Sequence, residues 1–404
     1  MTEPSGDHRP PTIGYGALFG RFLGFGCLAF GGPVAQIAMI RHALVDRDGW
    51  ISPAHFNRLL AVMQVLPGPE AHELCVHLGI RAKGRLGGLL AGFGFMLPGL
   101  VLMMGLAWAY VRFGMADPAI AAAFLGVQVA VIAVILRAVH RIGQHILQDR
   151  LLGALAVAAG AATLVGVGFW LVLAATGVVY ALARSARPRL AGLVAVLAAG
   201  AAAVSVLLVV ESGVGWPGAI VPAQAQSVSV LALFVAGLKA GLLTFGGAYA
   251  AIPYVRADTV GRGWMNDGQF LDGVALAGVL PAPLVIFCTF AGYVAGGPWG
   301  ALAITAGVFL PAFAFSMIFY ERLEAVLDVP GLQQLLAGVA AGVVGLIAAT
   351  TLQLAFATAG RVPTPWPALI LFGAALGLVY GWKSPLAVAV VVILAAIVGA
   401  VVFG

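Results

Sequence analysis

The sequence predicts an all-α polytopic membrane protein, and three observations support this fold class. Of the 404 residues, 62% are hydrophobic and only 9% are charged, whereas soluble domains carry about 25% charged residues. Apolar runs of about 20 residues, the length that crosses a bilayer as a helix, recur along the whole chain. These runs lack the period-two alternation that is typical of membrane β-strands.

The net charge of +6 does not indicate a nucleic-acid partner. Lys and Arg lie in short clusters between apolar runs, such as the stretch from Arg137 to Arg150, where such residues set membrane orientation. Basic residues are not interleaved with aromatic ones, as they often are in nucleic-acid-binding surfaces. Cys27, Cys75 and Cys288 lie far apart in apolar runs and lack metal-ligand spacing. We therefore expect no nucleic acid, no metal and no cofactor.

Six apolar segments form a first repeat at residues 13–189, after a polar tail at residues 1–12 that is predicted to be disordered. The first segment runs from about Tyr15 to Ile40. The second, from about Ala54 to Ile80, is broken at Leu66-Pro67-Gly68-Pro69, because proline lacks an amide proton and clashes with the preceding turn. The other four segments are about Leu86–Val111, Pro118–Leu136, Leu151–Gly166 and Gly168–Ala183.

The second half of the chain repeats the first. Phe30-Gly31-Gly32 recurs as Phe245-Gly246-Gly247, and the proline break recurs as Leu280-Pro281-Ala282-Pro283 at nearly the same offset along the chain. Residues 227–404 therefore form a second six-segment repeat. A linking helix and loop at residues 190–226 join the two, so the sequence predicts about 13 membrane segments, with helices broken at proline.

The orientation of the repeats depends on the broken segments. If these segments cross the membrane, each repeat has an even number of spans and the linking helix inverts the second repeat, as in many secondary transporters. If they are re-entrant hairpins, each repeat has five spans and the two are parallel. The positive-inside rule does not decide, because each arrangement leaves five of twenty Lys and Arg residues outside when Lys239 is excluded.

The two repeats carry eight motifs, which are Phe30-Gly31-Gly32-Pro33, Gly49-Trp50, Leu66-Pro67-Gly68-Pro69-Glu70, Leu97-Pro98, Phe245-Gly246-Gly247-Ala248-Tyr249, Gly263-Trp264, Phe270-Leu271-Asp272-Gly273 and Phe309-Leu310-Pro311. These motifs resemble those of long-chain members of the chromate ion transporter (CHR) family. The resemblance implies a bacterial inner-membrane exporter of chromate, with sulfate as the close structural analogue. It also implies halves of opposite orientation, which favours broken segments that cross. Ala282 departs from the family, which often has glycine there.

A tetrahedral dianion inside a membrane needs hydrogen-bond donors and positive charge, and the start of a helix supplies both. We therefore predict that the helix starts after Pro69 and Pro283 bind the anion. Lys239 lies within a span and is predicted to compensate the anion's charge, the alternative being a lysine that extends to the interface. The predicted substrate-binding residues are Gly31, Gly32, Pro67, Gly68, Pro69, Lys239, Thr244, Gly246, Gly247, Pro281, Ala282 and Pro283. For the two glycine pairs, close packing of helices is an equal alternative.

Glu70, His72, Glu73 and His77 are the predicted proton-coupling residues. Glu70, Glu73 and His77 share one helix face, and ionisable groups at membrane depth are usually functional. A carboxylate beside an anion site repels the anion until it is protonated, which couples the two movements. The alternative for Glu70 is stabilisation of the helix dipole. The second repeat is apolar at the matching positions, which are Leu284, Phe287 and Ala291.

Together these features predict a secondary transporter that exports chromate and is coupled to the proton gradient. The alternatives are a permease or uncoupled pathway for sulfate or another anion and, less favoured, a membrane-embedded enzyme using Glu70, His72 and Glu73. Against an enzyme, the chain lacks a nucleophile elbow, a Walker lysine motif and a His-Glu-x-x-His zinc motif. The expected partners are the oxyanion, protons and the lipid bilayer. The oligomeric state is left open, with a homodimer as one alternative.

Overall fold

The computed structural model describes residues 10, 12–63, 68–113, 117–185, 187–211, 227–245, 247–318, 329–382 and 384–404. Within these ranges every regular element is helical, which confirms the all-α prediction. Pro67 and Gly246 lie outside the described residues, as does most of the predicted N-terminal tail.

Each half of the chain has the same order of helices. The first half contains α1 (Tyr15–Cys27), α2 (Gly32–Arg41), α3 (Pro53–Met63), α4 (Glu70–Phe113), α5 (Pro118–Ile146), α6 (Arg150–Leu164), α7 (Phe169–Arg184) and the linking helix α8 (Pro188–Glu211). The second half contains α9 (Val230–Leu243), α10 (Ala251–Thr259), α11 (Asp267–Val279), α12 (Phe287–Ile318), α13 (Pro330–Ala359), α14 (Pro365–Gly381) and α15 (Ala387–Val402). A π-helical turn extends α2, and 3₁₀ turns precede α10 and α12. By length and composition α4, α5, α12 and α13 can cross a membrane.

The first apolar segment of each repeat is broken, which the sequence did not predict. α1 ends at Cys27 and α2 begins at Gly32, so the expected continuous span from Tyr15 to Ile40 is wrong. Gly31 has a φ of 86°, a left-handed conformation that glycine adopts without steric cost. α9 likewise ends at Leu243, and the helix resumes with the 3₁₀ turn at residues 248–250. Each repeat therefore has two discontinuous helices instead of one.

The chain reverses direction at the glycine breaks. Arg21 in α1 pairs with Asp48, which follows α2, and its guanidinium carbon lies 4.9 Å from the centroid of the Trp50 ring. Lys239 in α9 pairs in the same way with Asp258 in α10. If the two half-helices continued in one direction, they would carry these partners far apart, because each residue adds about 1.5 Å of helix length. The first segment of each repeat is therefore a helical hairpin.

α4 and α12 each contain a further reversal. The φ/ψ angles are −146°/27° and 64°/−166° at Lys83-Gly84, and −139°/22° and 63°/−158° at Gly296-Gly297. The arms on either side of Lys83-Gly84 pack so closely that a Cβ on Gly79 would lie 2.5 Å from the Gly87 carbonyl oxygen. Lys83 Nζ lies 4.9 Å from the centroid of the Tyr15 ring at the start of α1, and a Cβ on Gly296 would lie 3.4 Å from Val228 Cγ1, just before α9. Since the hairpins α1–α2 and α9–α10 return to the side on which they start, the proline-broken segment that follows each hairpin begins and ends on that same side. The expectation that the proline-broken segments cross straight through is not met, because they too fold as hairpins.

Two of these breaks contact each other directly, and a glutamine joins the other two. The Gly68 amide donates a hydrogen bond of 2.9 Å to the Thr244 carbonyl. At the equivalent place, Gln36 Nε2 donates to the Ala29 carbonyl at 2.8 Å and to the Ala282 carbonyl at 2.9 Å. When the two repeats are aligned on their glycine and proline motifs, Ala29 is the counterpart of Thr244, and Gly68 is the counterpart of Ala282. Each break of one repeat is therefore bonded to a break of the other.

The remaining helices interleave the two repeats. α5 of the first repeat packs against α14 and α15 of the second, and α13 packs against α6 and α7 of the first. Glycines allow the closest approaches: a Cβ on Gly126 would lie 2.3 Å from the Ala395 carbonyl oxygen, and one on Gly345 would lie 2.2 Å from the Ala156 carbonyl oxygen. Small residues have this role in membrane helix packing.

Candidate functional site

A cavity of about 1340 Å³ lies between the repeats, beside the helix breaks. Its floor includes Gly31, Gly32, Glu70, Gly247 and Ala248, and its walls are formed chiefly by α5, α7 and α13. The walls extend to the C-terminal ends of α5 and α7 and to the N-terminal end of α13. We call this cavity the vestibule. It brings together four of the predicted site residues that the structure describes: Gly31, Gly32, Glu70 and Gly247.

Two α-helix starts face the vestibule. α2 begins at Gly32 and α4 begins at Glu70. The first turn of a helix has amides without intrahelical partners and the positive end of the helix dipole, so such a start attracts anions. Gly31 is restricted to glycine here, because a Cβ would lie 2.7 Å from the Pro385 Cα. The vestibule floor therefore has backbone donors suited to an anion.

Basic side chains line one wall of the vestibule. Arg137, Arg141 and His145 lie on one face of α5, four residues apart, and Arg58 comes from α3. The assignment of residues 137–150 to a connecting stretch is wrong, because α5 continues to Ile146 and carries these charges along the cavity. Within the described ranges, Arg58, Arg137 and Arg141 are in no ion pair. They leave the cavity with unbalanced positive charge.

Asp149 and Arg184 balance each other in the vestibule wall. The Tyr180 hydroxyl donates to Asp149 Oδ2 at 2.7 Å, and the Leu152 amide donates to Asp149 Oδ1 at 2.9 Å. Burial acts to raise the pKa of Asp149, but these hydrogen bonds and the Arg184 guanidinium outweigh burial and lower the pKa to about 2. Asp149 therefore stays ionised at physiological pH and neutralises the charge of Arg184. Glu70 is then the main acid in the lining that opposes the positive charges of Arg58, Arg137 and Arg141.

Several predicted substrate-binding residues lie away from the vestibule lining. Lys239 pairs with Asp258, and its Nζ lies 4.8 Å from the centroid of the Phe169 ring. The Thr244 hydroxyl donates to the Ala240 carbonyl at 2.6 Å. Pro281, Ala282 and Pro283 are buried. Ala282 fills the space beside Gly99, where an added Cβ would lie 2.3 Å from the Ala282 Cβ. The roles assigned to these residues in anion binding stay predictions.

The proton-coupling candidates occupy two environments on α4. Glu70 faces the vestibule, whereas His72, Glu73 and His77 are buried behind it. The His72 ring packs edge-on against Phe309 and Phe313 of the second repeat, with centroid distances of 4.9 and 4.7 Å. The helix start therefore presents one acid to the cavity and places the next one in the interface between repeats.

Glu73 lies against Gly68. A Cβ on Gly68 would lie 2.5 Å from Glu73 Oε1, and Gly68 has a φ of 147°. The Glu73 carboxylate is fully buried and, within the described part of the chain, neither oxygen has a hydrogen-bond partner. Pro69 precedes α4 and is also buried. The break at Gly68-Pro69 thus provides the space that this buried carboxyl group occupies.

A second buried acid lies in the second repeat, where no ionisable site residue was predicted at a break. Asp272 in α11 is fully buried. It accepts hydrogen bonds from the Tyr110 hydroxyl at 2.8 Å and from Gln128 Nε2 at 2.9 Å. Gln128 Oε1 in turn accepts from Arg361 Nη1 at 3.1 Å. The signal was available in the sequence, since an aspartate within an apolar helical run is itself a candidate functional residue.

The discontinuous helices, the repeats and the basic vestibule define an integral membrane protein of the transporter class. The model of the chromate transporter family matches residues 16–182 and 231–400, one range in each repeat. The chain therefore belongs to the chromate transporter family.

Three relatives support this assignment. The "Chromate transport protein" of Pseudomonas aeruginosa is 59% identical over 402 residues, which cover 100% of this chain and 96% of the relative. The "Chromate transport protein" of Cupriavidus metallidurans is 32% identical over 90% of this chain and 88% of its own length. The "Probable chromate transport protein" of Synechococcus elongatus is 30% identical over 98% of this chain and 97% of its own length. No solved structure matches the chain.

Proposed function

We propose that this protein exports chromate through the vestibule and is driven by the proton gradient. The observation that carries the proposal is the convergence of Arg58, Arg137 and Arg141 with the starts of α2 and α4 on one cavity between the repeats. Chromate is a tetrahedral dianion, and fixed cations with backbone amides are the groups that bind such an ion. The relatives named above are chromate transport proteins.

The charge distribution supports an orientation in the membrane that suits export. With both broken segments of a repeat folded as hairpins, each repeat retains four spans, so α8 inverts the second repeat. Of the 17 described Lys and Arg residues other than Lys239, 13 then lie on the side to which the vestibule extends. The four on the opposite side, here called the far side, are Arg112, Arg256, Arg262 and Arg361. The positive-inside rule then assigns the vestibule side to the cytoplasm, as export requires.

We assign proton coupling to Glu70 and Glu73. Glu70 shares the vestibule with the arginines, and Glu73 is buried one turn further along α4. An ionised carboxylate beside the anion site raises the energy of bound chromate, which favours chromate release on the far side. A proton taken up there neutralises the carboxyl group for the return of the empty carrier, so chromate moves outward and the proton moves inward. His72 and His77, buried on the same helix, are the accompanying candidates.

Chromate uptake into inside-out vesicles tests this function, because uptake there corresponds to export. We expect uptake to rise when the vesicle interior is made acidic. The substitution Arg141→Gln should lower uptake at limiting chromate by about ten-fold, because it removes one of the charges that attract the dianion to the vestibule. The matched control is Arg187→Gln, which removes the same charge from the same side but lies outside the vestibule lining.

Four outcomes would contradict the proposal. Equal losses in Arg141→Gln and Arg187→Gln would mean that the vestibule charge has no special role. Uptake that is indifferent to the pH gradient would indicate an uncoupled pathway. Labelled sulfate carried as fast as chromate would indicate a general oxyanion permease. The absence of any flux would favour the membrane-embedded enzyme.

A further inference from the structure

The Asp272 network stands at the place where the second repeat would have its own vestibule. In the alignment of the two repeats, Asp272 is the counterpart of Arg58, and Arg361 is the counterpart of Gln148. Arg58 and Gln148 both line the vestibule. One member of this pair of related sites is thus an open cavity, and the other is filled by hydrogen-bonded side chains.

A row of side chains along α5 connects the two sites. Arg141, Arg137, Val134, Val131 and Gln128 follow one another at intervals of three or four residues, so each side chain neighbours the next on the helix surface. The first three line the vestibule, and the last donates to Asp272. This row therefore winds along α5 from the vestibule to the Asp272 network.

A small apolar void lies between the two sites. Its volume is about 10 Å³, room for roughly one water molecule. Val134, Tyr249 and Val388 line both this void and the vestibule, while Val131 and Ala275 lie further along it. Ala275 is three residues from Asp272 on α11, so it shares that residue's face of the helix. The void therefore continues from the vestibule toward the face of α11 that carries Asp272.

The network joins the two repeats across this end of the void. Tyr110 and Gln128 belong to the first repeat, and Asp272 belongs to the second. Arg361, in the connection after α13, is exposed and bonds to Gln128. Gly268 leaves room for this arginine, because a Cβ there would overlap the guanidinium group. A continuous chain of hydrogen bonds thus extends from an exposed cation to a fully buried carboxylate.

We propose that Tyr110, Gln128, Asp272 and Arg361 form the far-side gate of the transport route, closed in this structure. The gate opens as the vestibule closes, since inverted repeats exchange conformations when access alternates. The charges suit outward movement: Arg58 attracts a dianion at the vestibule, and Asp272 repels it at the equivalent exit position. The meaning of the gate rests on the proposed function, whereas its existence is tested without any substrate.

The reactivity of a thiol introduced by Ala275→Cys measures how often the gate opens. Cys27, Cys75 and Cys288 are replaced by Ser, Ala and Ala, and Ala275→Cys is introduced into the void. A membrane-impermeant maleimide is then applied from the far side. Labelling should be slow with the gate intact and should rise about ten-fold with Asp272→Asn or with Tyr110→Phe, a factor that corresponds to the loss of one hydrogen bond to a charged group.

The control is a protein in which Cys288 is the retained thiol. Cys288 is fully buried on the neighbouring half-helix and lines neither cavity, so its labelling should not change in either gate variant. Equal increases at both thiols would indicate general loosening and would overturn the gate, as would unchanged labelling of Ala275→Cys in monodisperse protein. Because no chromate is added, a positive result stands even if the chromate flux experiment fails, and the two proposals are separable.

Discussion

Glu73 is the residue whose position is hardest to explain by structure alone. Its carboxyl group is fully buried against Gly68, and within the described residues it has no hydrogen-bond partner. Desolvating a carboxyl group without a partner costs free energy, and a stable fold gains nothing from that cost. A proton that binds there during transport gives the buried acid a function.

The substitution Glu73→Gln should uncouple transport. Glutamine keeps the shape of the side chain but has no titrating proton, so we expect uptake of chromate down its own gradient to persist while stimulation by an acidic vesicle interior disappears. The measurement is the initial uptake rate with and without a pH gradient. Asp46→Asn, at an exposed acid, serves as the control and should retain the stimulation. If Glu73→Gln kept full stimulation, proton coupling would be assigned to Glu70 instead of Glu73.

Two glycines in α1 should respond to alanine in opposite directions. A Cβ on Gly26 would lie 2.5 Å from the Phe95 carbonyl oxygen, whereas one on Gly24 would meet nothing within 4 Å. We expect Gly26→Ala to lower the free energy of unfolding by about 1–3 kcal/mol, because α1 and α4 must separate. Gly24→Ala should raise it by about 0.5–1 kcal/mol through helix propensity. Thermal unfolding in one detergent checks both, and shifts of the same sign would contradict the packing.

At the residue scale the sequence predicted some residues of the vestibule lining but did not predict its basic residues. Gly31, Gly32 and Glu70 were predictable because the glycine pair recurs in the second repeat and an acid lies within an apolar run. Arg137 and Arg141 were not, because hydropathy falls where charges begin and therefore predicts that the span ends at Leu136. Their four-residue spacing was visible, but only the continued helix shows that they face a cavity.

The discontinuous helices determine the site at the scale of elements. The proline breaks could be predicted, because proline cannot donate the hydrogen bond that a helix interior requires. The breaks at Gly31 and Gly247 could not, because glycine interrupts neither hydropathy nor hydrogen bonding by itself. The sequence also does not predict the direction of the chain after each break. The reversal at Lys83-Gly84 has nearly the same backbone angles as the reversal at Gly296-Gly297, although Lys83 and Gly296 are different residue types.

Labelling of the connections tests the hairpins. In a hairpin arrangement Arg47→Cys should react with an impermeant maleimide from the same side as Lys83→Cys, and Arg262→Cys should react from the far side. A crossing proline-broken segment, which lies between these two positions, would instead place Arg47 opposite Lys83. The readout is the labelling of single-cysteine proteins in right-side-out and inside-out vesicles. Reaction of Arg47→Cys from the side opposite Lys83→Cys would exclude the hairpin.

At the scale of the whole molecule, the repeats were predictable and their contact was not. Rare residues such as Gly49-Trp50 and Gly263-Trp264 recur in constant order, which reveals the duplication without any structure. The contacts between the breaks join residues far apart in the chain, and no periodicity encodes such pairs. The basic vestibule on one side and the Asp272 network on the other likewise emerge only when the second repeat is placed against the first.

The paired breaks have a consequence for biosynthesis. The Gly68 amide bonds to the Thr244 carbonyl, and more than two fifths of the chain lies between these partners. At about 5–20 residues per second, the ribosome needs on the order of 10–35 s to make the second partner after the first. During that interval the first half has left its centre without the partners that the second half supplies. A nascent chain is therefore exposed to misassembly or proteolysis for this period, and the membrane insertion machinery must hold it until Ala282 has been made.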